Sequence, residues 1–390
     1  MSCYISSNNN RFYAAVETAF GAAPAIDASN RFPGVKLTLK QQTDKPERKD
    51  KTGTRTFMGL PPNLRTQTTF DLRSYMTGWS DQASEPSHGP LIEAALGSDA
   101  LLFAGGVAGA GCEGKTLVLA SPHLLAAGQA VAFGGEIRFV SAIVNETTVL
   151  LNAAFSLVPS EGSPIGRTAT YMPSLRPKSV SIFDYWSPAE AVQRIVCGAG
   201  IDKMQLQVNG DYHEFRFTGA AMDVVDSSSF GGGQASLLSF PAEPTVADFD
   251  YSIIPGHLGQ AWLGPVASRF FTVTDAEITL DNNLDLRARE FGAITPRCIA
   301  AGTRSALVDL SLYGREDEAT VSLYQAARQR SPIEVMLQLG QDAGQLFGVY
   351  LKSVVPEVPE FDDSETRLQW HFRGCRAQGT VDDEIVVAFG

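Results

Sequence analysis

Apolar and polar residues alternate along much of this chain. In VKLTL (Val35 to Leu39) the apolar side chains take every second position, and in LRTQTTFDLRS (Leu64 to Ser74) Thr66, Thr68, Phe70 and Leu72 do the same. A period of two predicts half-buried strands, with β-branched and aromatic residues on the packed face. Between these strands QQTDKPERKDKTGT (Gln41 to Thr54) is charged, with one Pro and one Gly, the composition of a mobile hairpin tip.

The same set returns later. AEITL (Ala276 to Leu280) leads through the charged DNNLDLRARE into GTRSALVDLSL (Gly302 to Leu312), with Leu39 aligned to Leu280 and Arg65 to Arg304. EFRFTGAAMD (Glu214 to Asp223) is echoed by QWHFRGCRAQ (Gln369 to Gln378), which aligns Phe215, Phe217 and Gly219 with Trp370, Phe372 and Gly374. A chain that uses one β-rich unit twice is more often an assembly part than a one-site enzyme.

Other elements follow from local signals. Residues 1 to 33 read as an irregular polar arm with a short helix around Phe12 to Phe20. Pro90 opens LIEAAL and Gly97 follows it, which marks a short helix. Asp317 to Gln329 puts Thr320, Leu323, Tyr324 and Ala327 on one helical face. From about Gly105 to Thr168, short β runs (KTLVLA, AVAFGG, EIRFVSAIV, TVLLNAAF) interrupt the first copy and have no counterpart in the second. VNGDY predicts a hairpin at its Asn-Gly pair. IEVMLQLGQDAGQLFGVYL predicts another turning at GQDAG, and TVDDEIVVAFG a final strand. SPAEAVQRIVCGAG leaves helix and strand both open, and DSSSFGGGQAS reads as linker.

Composition narrows the function classes. At 390 residues two or three domains are expected, and 44% hydrophobic with 19% charged residues describes a folded chain. A net charge of -12 disfavours a protein that grips phosphates by bulk attraction. The five cysteines (Cys3, Cys112, Cys197, Cys298, Cys375) form no CxxC pair, as expected of reduced cytosolic thiols without zinc. No secretory signal and no apolar run long enough to span a membrane is read.

Candidate chemistry is thin. GAGCEGKT (Gly109 to Thr116) satisfies the phosphate-loop spacing, with Lys115 and Thr116 as the phosphate and magnesium residues. That chemistry requires a helix after the loop, whereas TLVLASP is β-rich and ends in a proline. His88, His123, His213, His257 and His371 lack metal-ligand spacing. The acidic runs Asp362 to Glu365 and Asp382 to Glu384 read as solvated hairpin tips. No catalytic, cofactor-binding or metal residues are assigned.

The order of these features resembles the major tail tube proteins of phages with long non-contractile tails. The resemblance rests on ETAFG (Glu17 to Gly21) before FPGVKLTL, the succession strand, charged loop, strand and GPLIEAALG helix, the FRFTGAAMD hairpin, and the repetition of the set. It covers most of the chain apart from the insert, which the minimal family unit lacks. The implied fold is mainly β: two tandem β-sandwich tail-tube units, each with a short flanking helix, plus a small inserted β-domain. The expected division is 1–104 and 173–232 for the first unit, 105–172 for the insert, 233–244 for a linker and 245–390 for the second unit.

The resemblance implies a structural virion protein, located in the virion tail and assembled in the host cytoplasm. Its rings, trimers with pseudo-sixfold symmetry, would stack into a tube that conducts DNA during ejection. Implied partners are further copies of itself, the tape measure, terminator and distal tail proteins, and double-stranded DNA passing through without specific binding; no membrane is implied. The rivals are another tail component of the same fold (terminator or distal ring), a phosphate-loop enzyme and a glycan-binding module. The four tryptophans (Trp79, Trp186, Trp262, Trp370) are too dispersed to show a glycan platform.

The charged loops supply the expected contacts with a neighbouring chain or ring: Lys45, Glu47, Arg48, Lys49, Asp50 and Lys51 in the first copy, Asp285, Arg287, Arg289 and Glu290 in the second. Both loops are expected to be mobile in the isolated chain and ordered on assembly. The insert is expected outside the tube, and the bore is expected to be lined mainly by acidic and neutral groups, since a basic wall would hold DNA.

Overall fold

The computed structural model describes residues 4–47, 49–80, 82, 85–208, 210–247, 249 and 252–390. Three sequence expectations therefore fall outside the described residues: Cys3, the loop candidate Arg48, and Asn209 of the Asn-Gly turn. The protein is mainly β, with two α-helices among the described residues.

Eight strands make one continuous antiparallel sheet. They are β1 (Gly34–Thr43), β2 (Thr66–Tyr75), β3 (Arg194–Val208), β4 (Glu214–Ala221), β5 (Val273–Asp281), β6 (Ser305–Tyr313), β7 (Glu360–Asp362) and β8 (Gln369–Ala377). Their order across the sheet is β1-β2-β4-β3-β5-β6-β8-β7. The order 1-2-4-3 thus recurs as 5-6-8-7, and the joint between the two sets is an ordinary ladder in which Lys203 lies opposite Asp281 and Val208 opposite Ala276.

Register shifts locate the correspondence. β1 and β2 slip between Gly34 and Lys36; β5 and β6 slip between Val273 and Asp275. Matching the two irregularities aligns Leu39 with Ile278, two residues from the Leu280 expected by sequence. A slip of two keeps every side chain on its face, so alternation alone does not detect it. The second echo holds in the ladders: Phe215 lies opposite Ser74 and Phe217 opposite Leu72, while Trp370 lies opposite Leu312 and Phe372 opposite Leu310.

One face of this sheet is apolar and packs on an outer layer. Over the first half that layer is Asn10–Val16, Val180–Trp186, the first part of β3, and Asp223–Asp226. Over the second half it is Gly259–Gly264, Ile333–Leu339, Phe347–Val355 and Val386–Phe389, extended by Thr168–Tyr171 and Leu101–Phe103. Phe12, Leu72, Phe217, Ile278, Leu310, Val335 and Phe389 belong to the one large core between the layers. The helix expected around Phe12 to Phe20 is thus corrected to the strand Asn10–Val16 followed by a turn. Phe12 and Ala14 face that core, while Tyr13 packs with Phe183, Tyr185 and the linker residues Leu237 and Phe240 on the other side. Burial on both faces erases the period-two signal. The ambiguous SPAEAVQRIVCGAG is resolved as strand from Arg194.

The two helices occupy corresponding places, after β2 and after β6. α1 (Gly89–Leu96) is buried along its whole length and ends at Gly97, whose φ of 93° needs a residue without a Cβ. α2 (Glu318–Gln329) is amphipathic; Asp317 caps its first turn by accepting from the Thr320 amide, and Thr320, Leu323, Ala326 and Ala327 face inward.

The interrupting segment has its own four-stranded sheet, in the order Thr116–Val118, Thr148–Leu151, Glu136–Ile143 and Ala130–Phe133. It also has a core of its own, built on Leu117, Val131, Val140, Val149 and Phe155. It lies against the second half, although the sequence inserts it into the first. Ile137 and Phe139 pack on Met336 and Tyr350, on the face of the outer layer that points away from the eight-stranded sheet. Arg138, with no exposed surface, fixes the joint by donating to Glu136 (3.0 Å), Gln338 (3.2 Å) and Gln260 (3.2 Å), with Trp262 stacked 4.9 Å away.

Candidate functional site

The second face of the eight-stranded sheet is polar, as strict alternation dictates. On β1 to β4 it presents Lys36, Lys40, Asp71, Arg73, Lys203, Glu214 and Arg216, interleaved with Thr38, Gln205 and Gln207. Several of these line a shallow concavity together with Glu277 of β5. Three bases on this face have carboxylate partners across the strands. Arg216 bonds Asp71 at 2.7 Å, Lys203 bonds Asp281 at 2.9 Å, and Arg73 bonds Glu214. The Arg216 hydrogen bond holds the Asp71 carboxyl below its ordinary range. On β5 and β6 the balance reverses, with Asp275, Glu277 and Asp309 close enough that burial and Glu277 raise the Asp275 pKa. The face is therefore mixed, basic in its first half and acidic in its second.

The sheet ends in two open edges. Among the described residues β1 pairs only with β2, and β7 only with β8. Leu39 on β1 is half-buried, and Phe361 on β7 is 55% exposed, stacked on Trp370 at 5.2 Å. Exposed edges with apolar side chains invite pairing with another chain.

The charged loops differ from each other. In the first, Lys45, Glu47, Lys49, Asp50 and Lys51 are all exposed; Glu47 and Lys49 lie 3.5 Å apart, and Phe57 and Met58 of the same loop are 71% and 56% exposed. The second turns back under the first half. The Asn282 amide donates to the carbonyls of Ala95 at the end of α1 (2.7 Å) and Ile201 (2.9 Å), and the Leu284 amide donates to Asp202 (2.6 Å). Leu286 is buried, Asp285 and Arg287 pair at 2.5 Å, and the Arg65 guanidinium donates to the carbonyls of Arg289 and Glu290. Of the two loops expected to be mobile in the isolated chain, the second is tied to its own chain by these bonds. Asn282, Leu284 and Leu286 sit in a stretch that reads as polar and charged, and only the fold reveals what they touch.

At the phosphate-loop match, Thr116–Val118 is a strand where a phosphate site would need a helix, and the Lys115 ammonium donates to the Asn152 carbonyl at 2.8 Å. Among the described residues no group of three or more His, Cys, Asp or Glu is placed to hold a metal ion, and no helix is long and apolar enough to cross a membrane. Burial pushes the Cys197 thiol up to about 12 and the Cys375 thiol up to about 11, far from nucleophilic values. No protein-family model matches the chain, and no curated protein matches it.

Proposed function

We propose that this protein is a tail-tube-like structural subunit, built from two tandem β-sandwich units and an inserted β-domain, whose copies close into rings that stack into a hollow tube. The observation that carries this reading is the eight-stranded sheet: the 1-2-4-3 order used twice, joined by an ordinary ladder, polar on one face and open at both edges. The joint between β3 and β5 shows how a fourth strand of one unit accepts the first strand of the next. Repeating that joint between β7 of one copy and β1 of another removes both open edges. Three copies supply about 24 strands, which at roughly 4.8 Å each give a circumference of about 115 Å and a bore of about 37 Å before tilt.

The polar face then lines the bore. Its bases are tolerable beside DNA because Arg73, Arg216 and Lys203 are already paired with carboxylates, and a base so paired releases fewer counterions from phosphate. The insert, packed on the far side of the outer layer, lies outside the tube and leaves the bore clear. A terminator or distal ring of the same fold would share these edges without polymerising.

Electron microscopy of the purified protein, with mass measurement of isolated rings, tests the reading. Tubes or rings of three chains are expected. Six chains per ring would overturn the trimer, single rings that never stack would favour the terminal component, and a persistent monomer would defeat the proposal.

A further inference from the structure

The second loop shows what the first is built to do. Matching register shifts places the loop after β1 (residues 44–65) where the loop after β5 (residues 282–304) stands in its own half. The later loop buries itself under the preceding unit, anchored by Asn282 on Ala95 and Ile201 and by Leu284 on Asp202. Among the described residues the earlier loop meets no such unit, and it leaves Phe57 and Met58 more than half exposed.

We propose, on the ring reading above, that residues 44–65 clasp sideways beneath the second unit of a neighbouring copy within the same ring. The receiving surface follows from the ladders. Val180 lies opposite Ala199, and Ile333 opposite Val354; Leu206 lies opposite Phe215, and Phe361 opposite Trp370. The same displacement carries Asp202, the acceptor of Leu284, onto Glu357, which is exposed beside the 45%-exposed Val358. It carries Gln205 onto Glu360 and Leu206 onto Phe361. On the other side, Leu284 corresponds to Lys45, Thr279 to Lys40 and Ile278 to Leu39.

Since Gln205 faces Thr279 and Leu206 faces Ile278 in the internal joint, Glu360 of one copy faces Lys40 of the next, and Phe361 faces Leu39. Lys45 comes to Glu357. Opposite charges and apolar side chains therefore meet in register, on edges that a single copy leaves unpaired among the described residues. The partner is a second copy of this chain, and the contact is lateral, not between stacked rings.

The test is a cysteine pair, Lys45→Cys with Glu357→Cys, in a background where the exposed Cys298 is replaced by Ser. Oxidised rings, isolated before stacking, should yield chains linked up to closed trimers on a non-reducing gel, and either single variant should not. Zero-length coupling of amines to carboxylates in the wild-type rings, followed by peptide mass analysis, should join Lys45 to Glu357 of another chain and covers the case of a misfolded variant. Rings that form without either link, or links that appear only in stacked tubes, overturn the lateral clasp while leaving the tube reading intact. A wild-type protein that stays monomeric sinks both.

Discussion

The two halves of the eight-stranded sheet share a strand order, yet their surroundings differ at each corresponding place. The loop after β5 is anchored under the first half, whereas the loop after β1 leaves Lys45 and Phe57 exposed. α1 is buried throughout, while α2 keeps a solvent face on which Val321 is 48% exposed. The outer layer of the first half is covered by linker residues Leu237 and Phe240, that of the second by the insert. Equivalent elements thus become buried or exposed according to which neighbour the chain supplies.

Breaking the insert's anchor should have the largest effect. Arg138→Ala strips Glu136 of its buried charge partner and removes the bonds to Gln338 and Gln260, so a loss of about 3–5 kcal/mol is expected in chemical denaturation. A loss below about 1 kcal/mol would show that the insert is held by packing alone.

The contrast between the helices can be read by pH. Burial raises the Glu93 carboxyl of α1 to about 7, against the opposing hydrogen bond from Lys178; the exposed Asp99 shares that lysine and is held low by it. A raised folded pKa means that the Glu93 contribution is full below about 4.5 and is lost as pH rises through about 7, with a slope of at most about 1.4 kcal/mol per pH unit. His88, fully buried and lowered to about 3, works the opposite way: its contribution is full above about 6.5 and falls as pH drops toward 3. Comparing the urea midpoints of wild type and Glu93→Gln at pH 5 and pH 7.5 isolates the first slope. The variant should lose less stability between these pH values than the wild type does, and parallel profiles would remove the claim.

The loops sharpen the comparison further. Asn282→Ala should cost about 1–3 kcal/mol, because the carbonyls of Ala95 and Ile201 lose their donor. Lys45→Ala, at an exposed position of the other loop, should change monomer stability by under about 0.5 kcal/mol. Equal effects would deny that only one loop is docked. Between these two falls the α2 cap, where Asp317→Ala should cost about 1 kcal/mol in thermal unfolding.

Half-buried elements were legible before the fold was known. The strands around Leu37, Phe70, Phe217 and Leu310 alternate because one face meets the core and the other meets water, and both helices carry local stop or start signals at Gly97 and Asp317. The echo of Phe215 and Phe217 in Trp370 and Phe372 survived in register because those rings fill equivalent places between the layers.

What the sequence determined by itself, then, is the set of half-buried strands, the capped helices and the repetition of their order, since each is encoded in residues close together along the chain. Only the tertiary structure decided the rest. Asn10–Val16 is apolar on both faces because the core takes one and the linker the other, so its strand leaves no period to read. Arg138 lies far along the chain from Gln260 and Gln338, and no local pattern announces that they meet. The two charged loops look alike in composition, yet one buries Leu286 and the other leaves Phe57 exposed, because burial depends on which surface lies beneath a segment and not on the segment alone.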